Sequence, residues 1–121
     1  MILVDTSIWI DHLRNGNTQL TELLGRSQVL AHPFVTGELA CGNLRNRNEI
    51  LRLLHALPQI PVASPTEALY LIETHQLMGR GVGYIDIHLL AATAMAETAK
   101  LWTGDNRLKK VASEMNLAFN P

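Results

Sequence analysis

The sequence predicts an α/β protein with a central, mostly parallel sheet and helices on both faces. Short apolar runs alternate with segments of helical period along the chain, an order typical of parallel strands joined by crossover helices. The first run, Ile2 to Val4, is apolar on both strand faces, as expected for a buried central strand. With 121 residues, of which 47% are hydrophobic and 17% charged, we expect one globular domain spanning 1–121.

Local signals place the elements of the first half. Thr6 and Ser7 suit a helix start, and Asn15-Gly16 ends that helix. Leucines at helical spacing predict one or two further turns before Gly25, and Pro33 suits the first position of another helix. The expected elements are a strand at 2–4, a helix at 7–14, helical turns at 20–24, a strand at 29–31, a helix from 33 and an amphipathic helix at 46–57.

The second half opens with a weak strand, because Pro61 restricts residues 60–62 to a sheet edge. A capping box, Ser64-Pro65-Thr66-Glu67, then predicts a helix over 65–78. Glycines 79, 81 and 83 predict a hinge and no phosphate-binding loop, since a helix precedes them. The remaining elements are a buried helix at 84–97, a strand at 101–103, a helix to about 115 and a strand at 117–119, which makes about five strands.

Composition excludes several classes of protein. Ten basic and eleven acidic residues give a net charge of −1, so any binding to nucleic acid must use a local patch. The single cysteine, Cys41, excludes an internal disulfide and a thiolate metal site. No apolar run is long enough to cross a membrane and no signal peptide opens the chain, so a cytoplasmic protein is expected.

Four carboxylates stand out by their local context. Asp5 and Asp105 follow predicted strands, whereas Glu38 and Asp86 are expected on inward helix faces. Asp5 could also be a plain helix cap, and Asp86 an acid that favours a helix start. If the four converge, their repulsion calls for a hard divalent cation, and oxygen ligands select Mg²⁺ or Mn²⁺ over zinc. The five histidines show no spacing typical of a zinc site.

Four motifs, in order, carry a resemblance that covers nearly the whole chain. They are Val4-Asp5-Thr6-Ser7, Val35-x-x-Glu38-x-x-x-Gly42, Asp86 followed by Leu90-Ala91-Ala92-Thr93-Ala94, and Trp102-Thr103-Gly104-Asp105-Asn106-Arg107-Leu108. In these motifs the chain resembles PIN-domain ribonucleases, and specifically the VapC toxins of bacterial type II toxin–antitoxin pairs.

The resemblance implies a PIN-like three-layer sandwich and a Mg²⁺- or Mn²⁺-dependent endoribonuclease. Such an enzyme would cut structured RNA, tRNA or rRNA, and inhibit translation until a cognate VapB-type antitoxin silences it. Family members generally form homodimers. Carried onto this chain, the resemblance assigns the catalytic and metal-binding acids as Asp5, Glu38, Asp86 and Asp105, with Thr6 and Thr103 as supporting hydroxyls. Asn106 stands where some relatives carry a further acid, which leaves a second metal position open.

Two other functions remain open at this stage. The low positive charge would suit a PIN-like metal-dependent phosphohydrolase acting on small substrates, and an acidic groove could also belong to a non-catalytic module that binds a peptide or RNA. For the nuclease, we expect RNA phosphates to contact arginines from separate parts of the chain, namely Arg45, Arg47, Arg107 and, with less support, Arg80.

Overall fold

The computed structural model describes residues 1–121 and shows a parallel sheet of three strands with seven helices. The strands are β1 (Ile2–Val4), β2 (Val29–Leu30) and β3 (Lys100–Trp102). The helices are α1 (Thr6–Asn15), α2 (Thr18–Gly25), α3 (Pro33–Ala40), α4 (Arg47–Ala56), α5 (Pro65–His75), α6 (Tyr84–Met95) and α7 (Asn106–Glu114).

The sheet has the strand order β2-β1-β3, with β1 in the centre. Ile2 pairs with Val29 on one side and with Lys100 on the other, and both pairings are parallel. Beyond the two outer strands lie single parallel bridges, between Ala31 and Gln59 and between Leu101 and Ala118. The predicted parallel sheet is therefore confirmed, with β1 buried at its centre.

The two outermost strands of the expected five are not formed. Residues 60–62 and 117–119 were predicted as strands, but one bridge lies at Gln59, just before the first segment, and the other at Ala118, within the second. Pairing stops after the N–H of Ile60 donates to the carbonyl of Ala31 at 2.9 Å, because the neighbouring chain enters α3 at Pro33, which has no N–H to donate to the next carbonyl. The count of five strands is not confirmed.

The order of the connections places the helices on two faces. From β1 the chain moves outward to β2 and then to Gln59, and afterwards it returns across the sheet to β3 and Ala118. Right-handed crossovers that run in opposite directions cover opposite faces, so α1–α4 lie on one face and α5–α7 on the other. Contacts of α3 with α1 and α4, and of α5 with α6, agree with this division.

The same topology defines one special position between β1 and β3. The connection that leaves β1 and the connection that leaves β3 run in opposite directions, which opens a crevice beyond the carboxyl ends of these two strands. Asp5 directly follows β1, and Thr103 directly follows β3. The fold therefore brings the first and last motifs of the sequence to one crevice.

A single apolar core holds these layers together. It includes Leu3 of β1, Trp9 of α1, Leu39 of α3, Leu90 of α6 and Leu108 of α7, each at most 1% exposed. Helix α6 carries an unbroken buried run, residues 87–93, which confirms that it packs against the sheet. None of the helices combines the length and the apolar character needed to cross a lipid bilayer.

Side-chain caps explain where the helices begin. Ser64 and Glu67 form the predicted capping box of α5, and Pro33 occupies the first turn of α3. Asp5 caps α1 and Asp105 caps α7. Helix α5 ends at His75, earlier than the predicted residue 78, because Gln76 adopts a left-handed conformation.

Candidate acidic active site

Asp5 is the buried centre of the candidate site. Its side chain is 6% exposed and accepts three hydrogen bonds from different parts of the fold. Oδ1 accepts the backbone N–H of Thr6 at 2.7 Å, while Oδ2 accepts the hydroxyls of Thr103 at 2.7 Å and Ser7 at 3.1 Å. Asp5 is therefore a helix cap, as the simpler interpretation held, but it is also fixed to the end of β3.

Hydroxyl groups connect Asp5 to the second strand-end acid. The Thr103 oxygen, which donates to Asp5, accepts the backbone N–H of Asp105 at 3.1 Å. Ser7 Oγ likewise accepts the N–H of Gly104 at 3.0 Å. Asp105 is exposed and caps α7, since its Oδ1 accepts the N–H of Arg107 at 2.9 Å. The carboxyl ends of β1 and β3 are thus joined through two hydroxyls.

Glu38 reaches the site from α3, although not as an inward-facing residue. The spacing placed it on the apolar stripe of α3 with Val35 and Leu39, which are both 1% exposed. Glu38 itself is exposed, so that prediction was wrong. Its Oε1 accepts the hydroxyl of Thr6 at 2.8 Å, which ties the end of α3 to the start of α1. The predicted need for a partner is met by this hydroxyl.

Asp86 completes the group from the start of α6. Its carboxylate accepts the N–H of Gly83 at 3.1 Å, and the side chain is partly buried. Burial is the main cause that raises the pKa of Asp86, and the negative charges of Asp5, Asp105 and Glu38 raise it further. The Gly83 hydrogen bond acts in the opposite direction and does not cancel these effects. The four predicted acids therefore share one electrostatic environment.

The donor set fits a hard cation held with few protein ligands. No three His, Cys, Asp and Glu side chains of the chain stand close enough together to form a complete metal-binding group. Magnesium does not require one, because it keeps several waters and is held by one or two carboxylates together with phosphate oxygens. Carboxylates crowded enough to raise the pKa of Asp86 are suited to this role.

The four predicted arginines have different surroundings. Arg80 forms a two-pronged ion pair with Glu114, at 2.7 and 2.8 Å, and Arg47 donates to the carbonyl of Ala40. Arg107 lies against the backbone of Gly81 and is exposed. Arg45 makes no ion pair and lines a cavity of about 560 Å³ between α1 and the α3–α4 loop. Arg45 and Arg107 are thus the two whose guanidinium groups make no ion pair or hydrogen bond within the chain.

Sequence reasoning did not select two kinds of residue that the structure places at this edge of the sheet. Ser7 joins Asp5 to Gly104, and its position two residues after a strand-end carboxylate was an available signal. Phe34 and Tyr84 are exposed aromatic residues in the first turns of α3 and α6. Phe34 and Tyr84 lie on different helices that only the tertiary fold brings together, so no local sequence pattern could have identified them.

Comparisons with known proteins agree with this geometry. The model of the PIN domain family matches residues 2–114 of the chain. The chain is also 46% identical, over 119 residues, to the protein named Ribonuclease VapC32 of Mycobacterium tuberculosis strain CDC 1551 / Oshkosh. The match covers 98% of this chain and 96% of that protein, and the protein of the same name from strain ATCC 25618 / H37Rv matches equally.

The matched region includes both strand ends and all four acids, from Asp5 to Asp105. The order of the motifs, the crevice between β1 and β3, and the comparisons over nearly the full length therefore lead to the same assignment. The chain belongs to the PIN domain family, in its VapC group.

Proposed function

We propose that the chain is a VapC-type endoribonuclease toxin, dependent on Mg²⁺ or Mn²⁺, that cuts tRNA or rRNA and so inhibits translation. The observation that carries the proposal is the pair of hydrogen bonds that fix Asp5 to Thr103 at the end of β3 and Glu38 to Thr6 at the start of α1, in the crevice whose negative charges, after burial, raise the pKa of Asp86. Four acids from four elements in one crevice repel one another, which lowers the stability of the fold. Metal-dependent hydrolysis of a phosphodiester explains this arrangement, because it needs carboxylates to hold the cation.

The cation would take one or two carboxylate ligands from Asp5, Asp86, Asp105 and Glu38, and the remaining acids would act through its retained waters. A bound Mg²⁺ or Mn²⁺ lowers the pKa of water and neutralises the charge that develops on the phosphate. The protein supplies orientation: Thr103 and Ser7 fix one oxygen of Asp5, and Thr6 fixes one oxygen of Glu38. Burial and the neighbouring carboxylates raise the pKa of Asp86, so a nearby cation would favour the ionised form of this acid.

The arginines would position the RNA. Arg45 and Arg107 have guanidinium groups without an ion pair and would contact phosphates, whereas Arg47 and Arg80 would first have to leave their protein partners. With a net charge of −1, affinity should depend on these few contacts and fall as salt rises. Joint removal of charge at Arg45, Arg47 and Arg107 should therefore weaken cleavage and reduce its dependence on salt.

The proposal includes partners. A VapB-type antitoxin would silence the enzyme by covering the acidic crevice, and two copies of the chain would form a homodimer. The cytoplasm is the compartment in which such a protein would meet both the RNAs of the translation machinery and its antitoxin. Measurement of mass in solution, alone and with the antitoxin, tests both associations.

The test of the activity is RNA cleavage with metal and with chelator. Wild type should cut RNA in Mg²⁺ or Mn²⁺ and stop in EDTA, while Asp5→Asn and Asp86→Asn should remain folded and inactive. Glu73→Gln, an exposed acid of α5, is the matched control and should cut normally. Full cleavage by either folded Asn variant would remove that acid from the site. Turnover of a chromogenic phosphate ester without RNA cleavage would favour the small-molecule phosphohydrolase.

A further inference from the structure

Two exposed aromatic rings lie at the same edge of the sheet as the acids. Phe34 is 36% exposed in the first turn of α3, which directly follows β2, and Tyr84 is 49% exposed at the start of α6. Helix α6 leads into the parallel strand β3, so its first turn lies near the carboxyl ends of the strands. Among the other aromatic residues, Trp9 and Trp102 are buried in the core.

A buried histidine holds the two rings in place. His88 is 3% exposed, and its ring packs edge to face against Phe34 at 4.9 Å and against Tyr84 at 4.7 Å between ring centres. His32, fully buried, packs against the other side of Phe34 at 5.0 Å. Edge-to-face contacts at these distances are favourable, so both exposed rings have a rigid support.

His32 is uncharged at neutral pH. Burial lowers the pKa of His32 to about 4, and the neighbouring His88 lowers it further. Nδ1 of His32 accepts the backbone N–H of Phe34 at 3.0 Å, which fixes the ring at the start of α3. The parts of the cluster that a ligand can reach are the exposed rings of Phe34 and Tyr84, which offer aromatic surface.

The rings are close to the acids along both helices. Phe34 and Glu38 are four residues apart on α3, so they share a face and are separated by about 6 Å along the axis. Tyr84 and Asp86 belong to the same first turn of α6. The two rings thus lie on the two helices that supply acids to the crevice, each within about one turn of its acid.

We propose that Phe34 and Tyr84 form a stacking platform for RNA bases beside the acidic site. This inference rests on the proposed function, and it supplies what the charge of the chain does not. With a net charge of −1 and Arg80 held by Glu114, phosphate contacts alone are few. Stacking on aromatic rings binds single-stranded bases without regard to net charge, and each stacked base contributes substantially to affinity.

The test combines removal of a ring with removal of a base. Binding of a short labelled single-stranded RNA is measured in the Asp86→Asn background, and cleavage is measured in the wild-type background. In each, Phe34→Leu, Tyr84→Leu and the double variant are compared with Phe34→Tyr and Tyr84→Phe, which keep a ring. Tyr70→Leu, which removes a ring that is 71% exposed on α5, is the matched control. The RNA is used intact and with one nucleotide at a time made abasic.

Each Leu variant should weaken RNA binding and raise KM by about 5- to 150-fold, the range for loss of one stacked base. The ring-keeping variants and Tyr70→Leu should bind like their parent. At one or two nucleotide positions, the abasic change should weaken binding to the parent and not to the double Leu variant. A purely structural role for the rings would not produce this coupling.

Three results would overturn the platform. The losses from ring and base removal could multiply at every position, the Leu variants could bind RNA like their parent, or they could lose only the antitoxin, which would make the rings a protein-docking surface. The proposed function fails separately: RNA that binds with ring–base coupling but is never cut by wild type would keep the platform and remove the nuclease.

Discussion

At the scale of single residues, Asp86 is the acid of the crevice whose ionised form lowers the stability of the folded state. Burial and three neighbouring carboxylates raise its pKa, so the folded state binds this proton more tightly than the unfolded chain does. The stability that protonation brings is therefore largest at low pH, and it is lost as the pH rises through the folded-state pKa. At neutral pH the ionised carboxylate is a cost.

Asp86→Asn should consequently raise the melting temperature by a few degrees at neutral pH in EDTA. The amide removes the charge, yet its oxygen can still accept the N–H of Gly83, so the start of α6 keeps its cap. A thermal melt of both proteins measures the effect, with Glu73→Gln as the control for loss of an exposed charge. If Asp86→Asn melts below wild type under these conditions, the ionised carboxylate of Asp86 does not destabilise the folded state.

His32 makes the opposite contribution to the dependence of stability on pH. Its pKa falls from 6.5 to about 4 in the folded state, so the unfolded chain binds a proton first as the pH drops. Stability is full above pH 6.5 and is lost as the pH falls from there towards 4. By linkage the loss amounts to about 3 kcal/mol.

His32→Asn isolates that contribution. Asparagine can accept the N–H of Phe34 as His32 Nδ1 does, and it is a favoured helix cap without a charge to gain. The variant should lose less stability than wild type between pH 6.5 and 4, as measured by urea unfolding at each pH. Parallel curves for the two proteins would show that His32 titrates normally.

The residue scale also shows where prediction from sequence fails. All four acids could be selected from local context, because a carboxylate after a strand or at a helix start is visible in the sequence. The orientation of Glu38 could not be predicted in the same way. Helix α3 has only eight residues, and it buries Val35 and Leu39 but leaves Glu38 exposed to the solvent. The contact of Ser7 with Asp5 could be anticipated from their spacing, but its contact with Gly104, 97 residues away, required the fold.

At the scale of elements, helices were easier to predict than strands. The helix α5 carries its own start signal in Ser64 and Glu67, and the helix period of α4 shows over ten residues. Strands of two or three residues are too short to show a hydrophobic period in the sequence. At the sheet edges, whether a segment forms one bridge or a full ladder depends on the backbone of its partner. The pairing of segments 60–62 and 117–119 was therefore overestimated from the sequence.

The loop between α5 and α6 positions Arg107. Gly81 has φ +80°, and a Cβ there would lie 2.6 Å from Cδ of Arg107, whereas Gly79 has φ +72° and open space around it. Alanine at either position should lower the free energy of unfolding by about 1–2 kcal/mol, because both backbones are left-handed. Only Gly81→Ala should also displace Arg107.

RNA binding at several salt concentrations distinguishes the two variants. Loss of one phosphate contact should reduce the slope of log K against log salt by about 0.7 in Gly81→Ala and leave it unchanged in Gly79→Ala. Equal slopes for both variants would mean that Arg107 does not contact RNA.

At the scale of the whole molecule, metal binding should appear as stability. A cation that binds only the folded state stabilises it by RT ln(1 + [L]/Kd), or about 2.7 kcal/mol at a hundredfold excess over Kd. Mg²⁺ or Mn²⁺ at fixed ionic strength should therefore raise the melting temperature of wild type and have little effect on Asp86→Asn. Identical metal-dependent shifts in both proteins would place the cation elsewhere.

The hydrogen bond from Thr103 to Asp5 joins residues that are 98 positions apart, and this separation has a consequence for the timing of activity. During synthesis the first acid of the crevice leaves the ribosome well before β3 exists, by about 5–20 s at ~5–20 residues per second. Until β3 pairs with β1, Asp5 lacks one of its hydroxyl partners and Asp105 is not at the crevice. We therefore expect catalytic competence to begin only after almost the whole chain has been translated.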